Sequence, residues 1–230
     1  MDGACVESAD VVQVGTPFYG VFVLRGERAV LVDTGPQRSG RGVLRRLAAA
    51  GIAPEELSLI VLTHAHADHV GGAAALQRAT GALVVAGLGD EPILSAGANP
   101  PLTPTGPAGR AFLPFAGSKF APLAADLVVS ERMDLRPFGV EAEVRRVGGH
   151  TEGSLVVVLT SGDVVAGDLL RSALPGPKDK PRLHFFHDDV VTAHGAVAAL
   201  LAEGAGCLYI AHGGPLDAAR VGAWLADGAR

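Results

Sequence analysis

The stretch THAHADHVGG, Thr63 to Gly72, places three histidines and an aspartate within six consecutive positions, 64 to 69, of a chain that is otherwise mostly apolar. His64 and His66 are two residues apart, which on a helix separates them by about 200°. They share one side only where the backbone is extended. The run LSLIVLT, residues 57 to 63, supplies such a backbone and reads as a buried strand ending at the first histidine. Strand ends are where α/β proteins present functional groups. Asp68 and His69 follow at the turn into a helix, where adjacent side chains diverge. The pattern therefore predicts two ligands for one metal ion and two for a neighbouring one.

Four local ligands do not complete two sites, because a catalytic zinc takes three protein ligands and keeps a position for water. Three further candidates lie at strand ends beside glycine: His150 in GGHTEGS, Asp168 closing DVVAGD, and His212 in AHGGP. Glycine at such places permits close backbone approach and unusual dihedrals.

With these residues in place the sequence resembles the metallo-β-lactamase-fold hydrolase superfamily, in its hydroxyacylglutathione hydrolase and lactonase-like branch. The H-x-H-x-D-H signature is matched by His64, His66, Asp68 and His69, and the later motifs follow in order at His150, Asp168 and His212. The resemblance implies an α/β fold, a four-layer αββα sandwich with its metals at one edge between the two sheets. Carried over residue by residue, it assigns one metal to His64, His66 and His150 and the other to Asp68, His69 and His212. Asp168 bridges the two, and Asp68 and Asp168 are the expected catalytic acids. Two zinc ions per chain are expected, with iron or manganese as alternatives. The charge of such a pair, offset by Asp68, Asp168 and a bridging hydroxide, leaves a net positive site suited to a developing oxyanion. Asp33 in LVDTG either supports the ligands from behind or caps its own turn.

The implied reaction is hydrolysis by a metal-bridging hydroxide, with no serine or cysteine nucleophile. In the antibiotic-hydrolysing members of the family the bridging aspartate is absent, so Asp168 points to a small ester, lactone or thioester as substrate. A β-lactam hydrolase and a mononuclear iron oxidoreductase resembling persulfide dioxygenases are the alternatives. Nucleic-acid-cleaving relatives carry a large additional domain, of which 230 residues show no sign, and flavin-linked relatives replace a motif histidine that here is intact as His66. Glu152 stands where the family commonly has proline. Lys178, Lys180 and Arg182 read as solvated loop charges, with an anion grip as the alternative. His184 and His187 in LHFFHDD read as loop or packing residues, with a substrate-facing role as the alternative, and His194 reads as an ordinary helix residue.

The rest of the chain fits this reading. Hydrophobic residues make up 48% and charged residues 19%, a globular composition, and the net charge of -5 argues against nucleic acid or an anionic membrane as partner. A small-molecule substrate is expected. No apolar run approaches the roughly 20 residues of a membrane span. The acidic start MDGACVESADVV lacks the basic and apolar regions of a secretory leader, so a cytoplasmic location is expected. Cys5 and Cys207 are too few for a disulfide framework and read as unpaired, Cys207 as a small core residue.

Short β-rich runs lead into a helix at 39 to 50, the strand before His64, a helix from His69 to Thr80 capped by Asp68, and the strand ALVVAG. Residues 87 to 122 carry seven of the fifteen prolines and read as a long irregular excursion, either a substrate-shaping loop or a surface insertion. Four more strand-like runs, a second proline-rich stretch, a helix near 190 to 202, the strand CLYIA and a last helix containing Trp224 follow. One domain over residues 1–230 is expected.

Overall fold

The computed structural model describes residues 5, 10–16, 18–116, 119–173 and 176–228. The first sheet holds β1 (Val11–Gln13), β2 (Phe22–Arg25), β3 (Ala29–Val32), β4 (Leu57–Val61), β5 (Leu83–Gly87) and β6 (Leu127–Val129) in that order. Strands β1 to β3 form an antiparallel meander, and β3 to β6 run parallel, so helices must cross between them. The chain then forms β7 (Arg132–Asp134), β8 (Ala142–Arg146), β9 (Leu155–Leu159) and β10 (Val164–Gly167). A small hairpin of β11 (Arg171–Ser172) and β12 (Pro181–Arg182) precedes β13 (Cys207–Ile210) and β14 (Leu216–Asp217). The second sheet runs β14-β13-β10-β9-β8-β7.

Alternation along each strand builds the layers. In β3, Val30 and Val32 face inward and pack with Val144, Leu155, Val157 and Tyr209 of the other sheet, whereas Leu31 faces the helices α1 (Gly40–Ala49) and α3 (Ala73–Thr80), whose Val43, Leu47 and Leu76 share its cluster. On the far side Val164, Leu208 and Ile210 pack against Val197 and Leu200 of α6 (Val190–Ala202) and Val221 and Trp224 of α7 (Ala218–Ala226). The result is the expected αββα sandwich. Each fully buried Val or Leu side chain stabilises it by roughly 1.5–3 kcal/mol. No helix among the described residues is long and apolar enough to cross a membrane.

Three expectations change. The segment after the first histidines is two helices, α2 (Ala67–Val70) and α3, with His66 at the N-cap position of α2. Asp68 lies in the first turn of α2 and caps nothing. The break falls at Gly71 and Gly72, and a Cβ at Gly71 would meet the backbone of Pro36 and Gln37 at 2.2–2.3 Å, so only glycine lets the chain pass this close. The proline-rich segment also contains regular structure, α4 (Glu91–Ala96), α5 (Pro107–Phe112) and a 3-10 turn at Leu113–Phe115.

The third change concerns the cysteines. Cys5 and Cys207 form a disulfide across 202 residues, tying the start of the chain to β13. Spacing carries no information about a single pair, and the reading of both as unpaired is corrected. Residues 1–4 and 6–9, which carry most of the acidic start on which the lack of a secretory leader was read, lie outside the described residues.

Candidate metal centre

The loop after β4 leaves the sheet edge at Thr63, whose N–H donates to Asp33 Oδ1 at 2.8 Å and whose hydroxyl donates to Asp33 Oδ2 at 2.8 Å. Because that hydroxyl proton is committed to Asp33, Thr63 Oγ1 accepts from His64 Nδ1, 3.1 Å away. His69 Nδ1 donates to the same Asp33 Oδ2 at 2.8 Å. One carboxylate thus turns the Nε2 atoms of two histidines toward the interior. Its partners are Thr63 and His69, neither of them in the turn that follows Asp33, so the supporting reading is the one the structure favours over the capping one. His150 Nδ1 donates to the Phe186 carbonyl at 2.9 Å and His212 Nδ1 to the Phe18 carbonyl at 2.8 Å. These outward hydrogen bonds place a proton on Nδ1 and, wherever the ring is neutral, leave the inward nitrogen as a lone pair.

All seven residues singled out in the sequence meet in one cluster. His64, His66 and His150 form one group of potential ligand atoms, Asp68, His69 and His212 another, and Asp168 joins His64 and His69 in a third. Asp168 sits at the middle: its Oδ2 lies 3.8 Å from His64 Nε2, 3.3 Å from His69 Nε2, 3.6 Å from His150 Nε2 and 3.3 Å from His212 Nε2. Asp68 Oδ2 approaches His212 Nε2 at 3.4 Å and His69 Nε2 at 3.9 Å. Most of the cluster is buried, but the side chains of Asp68 and His212 are 34% and 22% exposed, so solvent reaches it from their side.

Charge is unevenly distributed. Burial, reinforced by neighbouring imidazoles, lowers His64 and His150 well below the usual histidine range, and burial lowers His66 to about 4. These rings present neutral nitrogens. For His212 burial also lowers the pKa, but Asp168 and Asp68 outweigh it and raise the ring to about 10. His69 is raised in the same way, by Asp168, Asp33 and Asp68 against burial. Burial alone would raise Asp168, yet His212, His184 and His69 hold it well below the carboxylate range.

The donor set fits a pair of divalent ions. His150 Nε2 lies 3.1 Å from His64 Nε2 and 3.0 Å from His66 Nδ1. With the other nitrogens of His64 and His150 donating outward, lone pairs converge on lone pairs, which is unfavourable without a cation between them. A tetrahedral zinc with nitrogen ligands at roughly 2.0–2.1 Å places those nitrogens about 3.3 Å apart, close to what is seen. Asp168 Oδ1 is buried with no hydrogen-bond partner among the described residues. A metal ion is the partner such an oxygen fits.

Two further residues join the site, Asp90 and His184, and a third, His187, packs against it without joining it. Asp90, at the start of the proline-rich segment, accepts from Ala65 N at 2.8 Å, Thr151 Oγ1 at 3.0 Å and Gly153 N at 3.0 Å, pinning together the two loops that carry His64, His66 and His150. A Cβ at Gly153 would lie 2.6 Å from Asp90 Cγ, so only glycine admits this approach. His184 and His187, read as packing residues, are both buried against the cluster, their rings 4.8 Å and 5.2 Å from that of His150. His184 Nε2 is 3.2 Å from Asp168 Oδ2, and His150, Asp168 and His184 form a further potential ligand group. Their only sequence signal was histidine density after a proline-rich run. Glu152, in place of the usual proline, points to solvent and approaches Arg146, its Oε1 3.5 Å from Nη2.

Comparison with known proteins places the chain. The family model described as "Metallo-beta-lactamase superfamily" matches residues 16–212. Metallo-beta-lactamase domain-containing protein 1 of Mus musculus is 48% identical over 42 residues, 18% of this chain, and ribonuclease Z of Mycobacterium sp. (strain KMS) is 52% identical over 49 residues, 21% of this chain. These matches span 16% and 15% of the two relatives' lengths. The structure of a motif mutant of the metallo-beta-lactamase from Cronobacter sakazakii superposes with a TM-score of 0.65 at 24% identity, covering 89% of this chain and 78% of the other, a likeness of fold. The match across nearly the whole chain, together with the αββα layers, shows that the protein belongs to the metallo-beta-lactamase superfamily.

Proposed function

We propose that this protein is a dinuclear metal-dependent hydrolase of a small ester, lactone or thioester, with zinc as its expected metal. The observation that carries the reading is Asp168, whose Oδ2 lies within 3.8 Å of ligand nitrogens from both donor groups. A carboxylate in that position is what the esterase-like branch of the family uses to join its two ions. When bound, such a pair supplies Lewis acidity toward a carbonyl oxygen and lowers the pKa of water toward neutrality.

The chain's own residues do the rest. His64, His66 and His150 would hold one ion and Asp68, His69 and His212 the other, with Asp168 a donor available to both. Asp33 and the carbonyls of Phe186 and Phe18 keep the imidazoles aimed inward. Asp68, the more exposed of the two cluster acids, stands on the solvent side, where His69 and His212 outweigh burial and hold it ionised. Water adds across the acyl C–O or C–S bond, giving a carboxylic acid and an alcohol or thiol. The net charge of -5 favours a small molecule over a polynucleotide as substrate.

The test is a panel of esters, lactones, thioesters and a β-lactam, assayed before and after chelation and on return of zinc. Hydrolysis of an ester, lactone or thioester that chelation abolishes and zinc restores is the expected result. Turnover of the β-lactam alone, or oxygen consumption with iron and no hydrolysis, would replace this reading with one of its alternatives.

A further inference from the structure

His184 is anchored as a ligand is anchored. The Phe186 carbonyl, which receives Nδ1–H of His150 at 2.9 Å, lies 3.2 Å from Nδ1 of His184. A carbonyl oxygen has two lone pairs and can accept from both rings. The Phe186 N–H donates to the same His184 nitrogen at 3.3 Å when Nδ1 carries no proton, so the two contacts belong to opposite tautomers, and a metal ion at Nε2 selects the one with its proton on Nδ1. That tautomer leaves Nε2 as a lone pair, and Nε2 lies 3.2 Å from Asp168 Oδ2, nearer than the corresponding nitrogens of His64, His69, His150 or His212. A ring nitrogen held from behind by a backbone carbonyl is the usual support of a metal-binding histidine.

We propose that His184 is a further metal ligand of this centre, its Nε2 adding to the donors around the ion assigned to His64, His66 and His150, beside Asp168; this rests on the metal-dependent reading above. Imidazole and carboxylate together suit zinc or iron. The neighbouring His187 marks the contrast. It is as deeply buried, but neither of its ring nitrogens has a hydrogen-bond partner among the described residues and none is placed in a ligand group, so it packs. The proline-rich segment serves the extra ligand: Thr105 Oγ1 donates to the His184 carbonyl at 2.6 Å and Thr105 N to the Phe185 carbonyl at 3.0 Å. That segment therefore braces a ligand-bearing strand end.

The experiment is a titration of the full-length, nitrogen-15-labelled chain with zinc chloride, following histidine ring nitrogens by long-range proton–nitrogen correlation. Direct ligation moves Nε2 of His184 together with Nε2 of His150 and of His64. In parallel, chelator competition reads zinc affinity: His184→Ala should lose at least about 100-fold, beyond the 10–100-fold that an orienting partner costs, while His187→Ala keeps the wild-type affinity. If the nitrogens of His64, His66 and His150 shift and His184 Nε2 does not, His184 is no ligand and the dinuclear reading stands. If no histidine nitrogen shifts, both fall. Should His184→Ala fail to fold, the titration of the unmodified chain still decides.

Discussion

Asp33 Oδ2 lies 2.8 Å from His69 Nδ1, two side chains each 1% exposed and 36 residues apart in sequence. Asp33 holds this contact from a left-handed backbone, φ 61°, a conformation that among residues with a side chain only Asp and Asn adopt readily. Asp33→Asn therefore keeps the backbone and replaces one accepting oxygen with a donor. The expected outcome is a folded protein whose zinc affinity is about 10–100-fold weaker, measured by chelator competition. Unchanged affinity would show that the carboxylate does not orient the ligands.

Asp90 is the second acid whose role is positional. Burial holds its carboxyl above the ordinary range although three donors point at it. Asp90→Ala strands the N–H groups of Ala65 and Gly153 in the interior, at about 1–3 kcal/mol each. Urea unfolding should show a loss of about 2–5 kcal/mol. A loss near zero would mean that water or a neighbour takes over those donors.

His187 gives the acid limb of stability a defined sign. Burial keeps it neutral and lowers its pKa from 6.5 to about 3 in the folded chain. The folded value is the lower one, so the unfolded chain binds the proton first. Stability is held above pH 6.5 and is lost as pH falls from there toward 3, by about 1.4 kcal/mol per unit from this residue. His187→Leu removes the proton uptake at similar volume and should move the midpoint of acid unfolding to lower pH. A midpoint that stays put or rises contradicts the assignment.

The disulfide predicts a redox-dependent stability. Cys207 belongs to the core between the sheets and Cys5 packs against it, so the bond closes nearly the whole chain into one loop. Cys5→Ser should lower the unfolding free energy by about 2–5 kcal/mol, and added reductant should produce the same loss in the wild type. Equal stability of the two proteins, oxidised and reduced, would show that the bond constrains little.

The sequence made the ligands legible because His64 and His66 alternate on extended backbone and Asp68 and His69 follow without a gap, a spacing that few structural roles require. The layers were legible from runs such as AVLVD, in which alternate residues serve two different cores. The positioning groups were not. Asp90 looks like any acid opening a helix, and its three donors come from residues 65, 151 and 153, which only the folded chain brings together. His184 shared its appearance with loop histidines until the Phe186 carbonyl placed it beside His150. The single helix expected from His69 to Thr80 is two, divided at Gly71 and Gly72, and the close approach of Gly71 to residues 36 and 37 is invisible in a local pattern.

The central claim is that this cluster holds two metal ions with Asp168 between them. It is tested most directly by elemental analysis of the chain purified without added metal. The account predicts about two zinc ions per chain. Retention of no metal, or of about one iron per chain, would contradict it.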